Sequence, residues 1–184
     1  IKQIHIDIAG REIQPYGLSC YVRWLAYSVQ RDQESFLVSD YDVINKNFKI
    51  NEINELQDTI SFMDRYCPCL CYGSSDQFLK FCKNIISISN QHKEILQKEY
   101  QEKKLVCYHD QDFLVLNHER IICNICPANK YVSLYEHNNL EMEKCNLFHV
   151  AHRSVNEAKN NVPELKEMNS DELRIKFIEG ILNK

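Results

Sequence analysis

The chain has 184 residues, 44% of them hydrophobic and 26% charged, with a formal net charge of −4. That length and balance suit one soluble globular domain with a sizeable core, and they exclude a global basic field for nucleic acid. No run approaches the roughly 20 apolar residues of a membrane span, and no signal peptide is visible. An intracellular location, cytoplasmic or nuclear, with no membrane partner is therefore expected. Nine cysteines, an odd number among periodic segments, read as reduced thiols, some available as metal ligands and many simply small buried apolar residues.

Ile4, Ile6 and Ile8 alternate with His5, Asp7 and Ala9, the period-two signature of a strand that Gly10 stops. A carboxylate at the end of an apolar strand is costly unless a cation or donor compensates it. Asp7 thus reads as the first of several acids gathered from distant parts of the chain. After a turn punctuated by Pro15 and Gly17, residues 18–29 are rich in aromatic and β-branched side chains and predict a second strand. Residues 35–39 predict a third, completing an antiparallel meander. Ile53, Leu56, Ile60 and Met63 then recur at helical spacing, so residues 52–66 predict an amphipathic helix that Pro68 ends.

Cys69 to Tyr72 predict a short buried strand closed by Gly73, with Cys67, Cys69 and Cys71 on one face. Ser74 or Ser75 caps the next helix, which holds Asp76 in its first turn and continues toward Ile88. A more polar helix runs from Gln91 to Glu102, and residues 105–108 and 113–116 predict short strands. From Asn117 to Phe148 the periodicity weakens. His152 to Lys159 is again helical, Pro163 breaks the pattern, and Asp171 to Leu182 predict a terminal helix with Leu173, Phe177, Ile178 and Leu182 on one side.

The resulting order, three antiparallel strands and then a crossover helix to a parallel strand, is that of an α/β ribonuclease H-like mixed sheet. Three local patterns sharpen it. Asp7-Ile8-Ala9 closes the first strand, CYGSSDQFL places Asp76 just past the fourth, and HRSVNEA places His152 ahead of Glu157 on a late helix. Together these resemble the DEDDh family of 3′-to-5′ exonucleases, over residues 1–159. Arg153 and Ala158 match the family pattern as well.

The resemblance implies a two-metal site acting on single-stranded RNA or DNA 3′ ends, with Asp7, Asp76 and Glu157 as Mg²⁺ or Mn²⁺ ligands and His152 as general base. Two positions depart from it: Ala9 stands where the family has Glu, and Glu157 where it has Asp. Hard divalent ions need carboxylate oxygens at fixed geometry, so the site as written is expected to bind metal poorly and to be inactive. Ala9 leaves two readings open, an engineered change in an active nuclease or a natural loss in a fold kept for binding. Beside both stands a plainer one, in which Asp7 ends a strand, Asp76 favours a helix N-terminus and His152 is a surface residue. Tyr72, Phe78 and Tyr131 are candidates for base stacking, with core packing as the competing role.

Cys123-x2-Cys126, followed after 18 residues by Cys145-x3-His149, has the spacing of a structural Zn²⁺ site. His118 and His137 are alternative ligands. A metal clip would order the weakly patterned insertion at residues 118–149. The alternative to the nuclease is accordingly a non-catalytic, zinc-stabilised module that binds protein or RNA.

Overall fold

The structure is a computed structural model. It describes residues 1–30, 35–50, 59–62, 68–103, 105, 108–117, 119, 124–125, 131–133 and 146–183, with backbone alone at 124–125, 131–133 and 152–154. Helices and two small sheets give a mixed α/β chain. It divides into two compact units, Ile1–Val38 with Asn54–Ile125 and Ser39–Ile53 with Cys126–Lys184.

The first unit opens on helices where strands were expected. Helix α1 spans Lys2–Ala9 and ends at Gly10, whose φ of 71° is left-handed and whose N–H donates to the Ile6 carbonyl. That cap favours glycine because a Cβ clashes in this region. Ile4, His5 and Ile8 are buried while Ile6 is exposed, so the face that packs follows a helical repeat rather than a period of two. Helix α2 spans Pro15–Ser28 with proline in its first turn, a position that needs no backbone donor. Its Cys20, Tyr21 and Trp24 are buried. The expected meander is therefore reduced to its third member, β1 at Phe36–Ser39, and the ribonuclease H-like order of elements is not what residues 1–39 adopt.

Strands β3 (Ser61–Phe62) and β4 (Leu70–Gly73) pair antiparallel, with Phe62 opposite Cys71. The sheet order is β1-β4-β3-β5, where β5 is Asn124–Ile125 and runs parallel to β3. Ser61 and Phe62 thus lie in a strand inside the helix expected at 52–66; residues 51–58 and 63–67 of that expectation lie outside the described ones. Strand β4 falls where expected, with Cys69 and Cys71 both buried. Cys67 lies outside the described residues.

Helix α3 (Ser75–Gln91) follows at once. Ser74 accepts from the Gln77 N–H while the Gln77 side chain accepts from the Ser74 N–H at 2.8 Å, a capping box that fixes the helix start. Helix α4 (Lys93–Glu102) also falls as expected. Residues 113–116 do not form a strand, being part of α5 at Asp110–Asn117. Apolar content alone did not distinguish the two; the acids Asp110 and Asp112 in the first turn favour the helix.

The core of this unit centres on Trp24, which is fully buried. Phe81 meets it edge-on at 4.9 Å between ring centroids, and Tyr27, Phe62 and Phe78 complete the cage. Such pairs add about 0.5–1.5 kcal/mol each beyond their buried area.

The second unit holds a sheet of order β2-β7-β6, from Val43–Asn45, Leu147–His149 and Tyr131–Ser133. Helix α6 (His152–Asn161) ends before a 3-10 turn at Pro163–Leu165, and α7 covers Ser170–Leu182. Phe148, Val150, Val155, Leu173 and Ile181 form its core. Both helices were expected. The buried face of α7 is Leu173 and Ile181, whereas Leu182 points to solvent, one residue round the helix from its expected side.

Candidate functional site

Asp7 sits near the end of α1, within reach of water. Its Oδ1 accepts from Gln3 Nε2 at 2.8 Å and its Oδ2 from Lys93 Nζ at 2.8 Å. The Lys93 hydrogen bond, with that of Gln3, holds the carboxyl below its ordinary range. Gln97 donates to the Asp7 carbonyl. The cleft beside it, about 360 Å³, is lined by Asp7, Lys93, Gln97 and Tyr100 among others, with no second carboxylate among its described lining residues. A divalent ion would have to displace Lys93 and Gln3 from both oxygens, so these residues do not fit a two-metal centre at Asp7.

Asp76 lies in the first turn of α3, directly after β4, where a negative charge offsets the exposed N–H groups. His152 begins α6, its side chain outside the described atoms, and Glu157 is part-buried on the same helix. Ala9 is the last residue of α1 and packs against the core. Among the described residues, no three His, Cys, Asp or Glu side chains form a group able to hold a metal ion. Phe78 is fully buried and stacked on Trp24, so it is a core residue and no base-stacking surface. Tyr72 is part-buried in β4; Tyr131 lies in β6 without a described side chain.

Of the expected zinc ligands, Cys123, Cys126 and Cys145 lie outside the described residues, as do His118 and His137. His149 is buried in β7, its Nε2 3.4 Å from Asp42 Oδ1. Burial pushes the Asp42 carboxyl up, but the His149 hydrogen bond and charge outweigh it, aided by Arg174, and the net shift is downward.

Among the described residues of the first unit, Asp110 is a heavily bonded charge that sequence reasoning missed. Its Oδ2 accepts from Arg23 Nη2 at 2.6 Å, Arg23 Nε at 3.0 Å and Trp24 Nε1 at 2.9 Å, and its Oδ1 from the Gln111 N–H at 2.8 Å. The Arg23 guanidinium also lies 5.2 Å over the Trp24 ring, a cation–π contact. Next to it, the His109 N–H donates to Asp112 Oδ2 at 3.1 Å, and the His109 ring lies between the two carboxylates, 3.7 Å from Asp110 and 3.4 Å from Asp112. Burial opposes charge on this ring, but Asp110 and Asp112 prevail and raise its pKa above the ordinary 6.5. His5 is the opposite case. Its Nδ1 donates to the Arg11 carbonyl at 2.7 Å and its Nε2 accepts from the Tyr108 N–H at 3.4 Å, which requires a neutral ring. Burial lowers its pKa accordingly.

These bonds fix the rotation of α2. With Arg23 and Trp24 tied to α5, the helix turns Leu18, Val22 and Leu25 away from that contact, toward α3. Together with Ile1, Tyr21, Cys82, Ile85 and Ile86 they line a groove of about 160 Å³. The Tyr21 hydroxyl is engaged with the Tyr108 carbonyl, so the groove presents carbon and sulfur. Val22, Leu25 and Ile86 remain 51%, 55% and 45% exposed. A volume on the order of 150 Å³ takes a benzene ring. The recess is thus walled by apolar side chains that remain partly open to water. Its sequence signal was present: α2 is apolar around most of its circumference, more than one buried face needs.

Comparison with protein-family models, with curated proteins and with solved structures gave no match.

Proposed function

We propose that the chain is a protein-interaction module that docks an apolar side chain of its partner in the groove between α2 and α3. The observation that carries this reading is the groove itself: half-exposed Val22, Leu25 and Ile86 around a recess the size of one large side chain. Burying those three residues is worth about 25 cal/mol per Å² of apolar surface removed from water, which is the kind of energy a docking contact draws on. A Val22→Asp variant places a charge at the rim and leaves Trp24 and Asp110 untouched. Titration of the ¹⁵N-labelled chain with apolar helical peptides should move amide signals of residues 18–25 and 82–86, and Val22→Asp should abolish the response. Shifts scattered over the whole surface would count against the groove.

A second reading is the DEDDh-like exonuclease. It is supported by Asp76, which begins α3 directly after β4 as that pattern expects. It stands second because Asp7 is held by Lys93 on a helix and residues 2–28 supply no strands. Its test is an assay on end-labelled single-stranded RNA and DNA with Mn²⁺, comparing the chain with its Ala9→Glu variant. Shortening from the 3′ end by the variant alone would restore the nuclease to first place.

A further inference from the structure

His5 of α1 is only 1% exposed, and both of its ring nitrogens meet backbone groups. Nδ1 lies 2.7 Å from the Arg11 carbonyl oxygen and Nε2 3.4 Å from the Tyr108 nitrogen. A carbonyl can only accept and a backbone N–H can only donate, so this pair of contacts admits the neutral ring protonated at Nδ1 and no other form. A proton added at Nε2 would set one donor against another, in a place sealed from water. Tyr108, also 1% exposed, is where α1, α2 and α3 are tied together. Its N–H serves His5, its carbonyl accepts from the Tyr21 hydroxyl of α2 at 3.3 Å, and its hydroxyl lies 3.1 Å from Ser89 Oγ of α3. At the head of α1 the Ile1 carbonyl accepts from the His5 N–H at 2.9 Å, and Ile1 itself lines the groove between α2 and α3.

We propose that His5 is a proton-operated latch: the neutral ring holds α1 on Tyr108, and the protonated ring releases α1 and takes Ile1 out of the groove wall. The latch sets the shape of the recess, whatever the recess binds.

The groups around the ring decide the direction in which it works. Helix α5 brings His109, which opposes charge on His5, and Asp112, which favours it; Arg11 in the turn after α1 opposes it. Helix α4 brings Lys93 and Tyr100 to the same helix, with His92 at its N-terminus. Helix α3 brings Ser89 to Tyr108 and the Cys82 thiol to the groove beside Ile1. On α1 itself, Asp7 is taken up by Lys93 and Gln3. Burial, with the charges of Arg11 and His109, outweighs the Arg11 carbonyl and Asp112, so the closed form holds the ring below its ordinary 6.5. An open form restores the ordinary value, and opening is therefore favoured as pH falls below 6.5.

The test is amide hydrogen exchange of the whole chain from about pH 8 down to about pH 5, corrected for the intrinsic effect of pH on exchange. Protection of the amides of residues 5–10 should fall about tenfold for each pH unit below the ordinary 6.5, until the titration of the closed form is passed. Residues 79–88 of α3 should hold steady, and the Ile1 methyl signals should shift over the same range as α1. His5→Gln offers the Tyr108 N–H a carbonyl acceptor that does not titrate, and should make the profile flat while α3 stays protected. His5→Leu removes both contacts and should leave residues 5–10 weakly protected at every pH.

A flat profile in the unaltered chain would overturn the latch. So would a loss of protection that α3 shares, since that is unfolding of the unit, or a response that survives in His5→Gln, which assigns it to His92 or His109. Release of α1 with unmoved Ile1 methyl signals would overturn the link to the groove.

Discussion

In the region where α1 meets α4, Asp7 pairs with Lys93 in reach of water; where α2 meets α5, Asp110 is buried beneath Arg23 and Trp24. Both join an acid to a base more than 80 positions away in the chain. Their surroundings separate them. Water already solvates Asp7 and Lys93 in the unfolded chain and much of that solvation survives folding, so little is gained by pairing. Asp110 has exchanged water for four protein donors, and removing it would strand the groups that point at it. A carboxylate that matters to this fold is recognised by how completely it is bonded, and Asp110 outranks Asp7 on that measure.

The sharpest break in this comparison is Asp110→Ala. It leaves the Trp24 N–H and the Arg23 guanidinium without their acceptor, and urea denaturation should register a loss of about 3–5 kcal/mol. Replacing both partners, Arg23→Met with Asp110→Leu, should restore part of that stability; a loss under about 1 kcal/mol for the single change would put Asp110 in the same class as Asp7. Next in size is Asp112→Ala. It removes the acceptor of the His109 N–H at the start of α5, a capping loss of about 1 kcal/mol, and it should bring the His109 titration down toward 6.5.

The pH dependence carries two opposed signs. His109 has a raised pKa, so its contribution is complete below its ordinary 6.5 and is lost as pH rises through the folded value above that. His5 has a lowered pKa, so its contribution is present above 6.5 and is lost as pH falls below it toward the folded value. The His109 and His5 imidazole proton signals followed by NMR should give midpoints above and below 6.5 respectively, and Asp112→Ala should lower both, because the Asp112 charge favours the protonated form of each ring. The smallest effect belongs to Lys93→Met, which should leave the melting temperature unchanged within error. The Asp7 carboxyl, held low by Lys93, contributes above its ordinary 3.8 and less as pH falls, so the variant should raise its titration midpoint toward that value.

Elements whose signals agreed at every level were legible in the sequence. Helix α3 had a serine cap, a glutamine three residues on and an acid in its first turn; β4 had a short apolar run stopped by glycine. Helix α1 was not, because Ile4, Ile6 and Ile8 satisfy a two-residue period while Ile1, Ile4, His5 and Ile8 satisfy a helical one. The deciding residue, His5, reads as polar until its two backbone partners are known. Helix α2 was misread through the strand preference of its aromatic and β-branched side chains, although Pro15 already marked a helix start. Of the site, Asp7 was noticed for a strand it does not end, and Asp110 was missed because nothing local announces an arginine 87 positions away. The groove needs two helices in contact, and no single stretch of sequence contains that.

Trp24 is the chain's one tryptophan. Enclosed by aromatic rings, bonded through its indole N–H and capped by a guanidinium, it should emit at short wavelength and shift to the red when the first unit opens. The second unit has no tryptophan and stays dark at that wavelength. Emission therefore follows one unit, while far-ultraviolet circular dichroism follows the helices of both. Coincident melting curves by the two methods would describe a molecule that unfolds in a single step, and separated curves one whose halves come apart in turn.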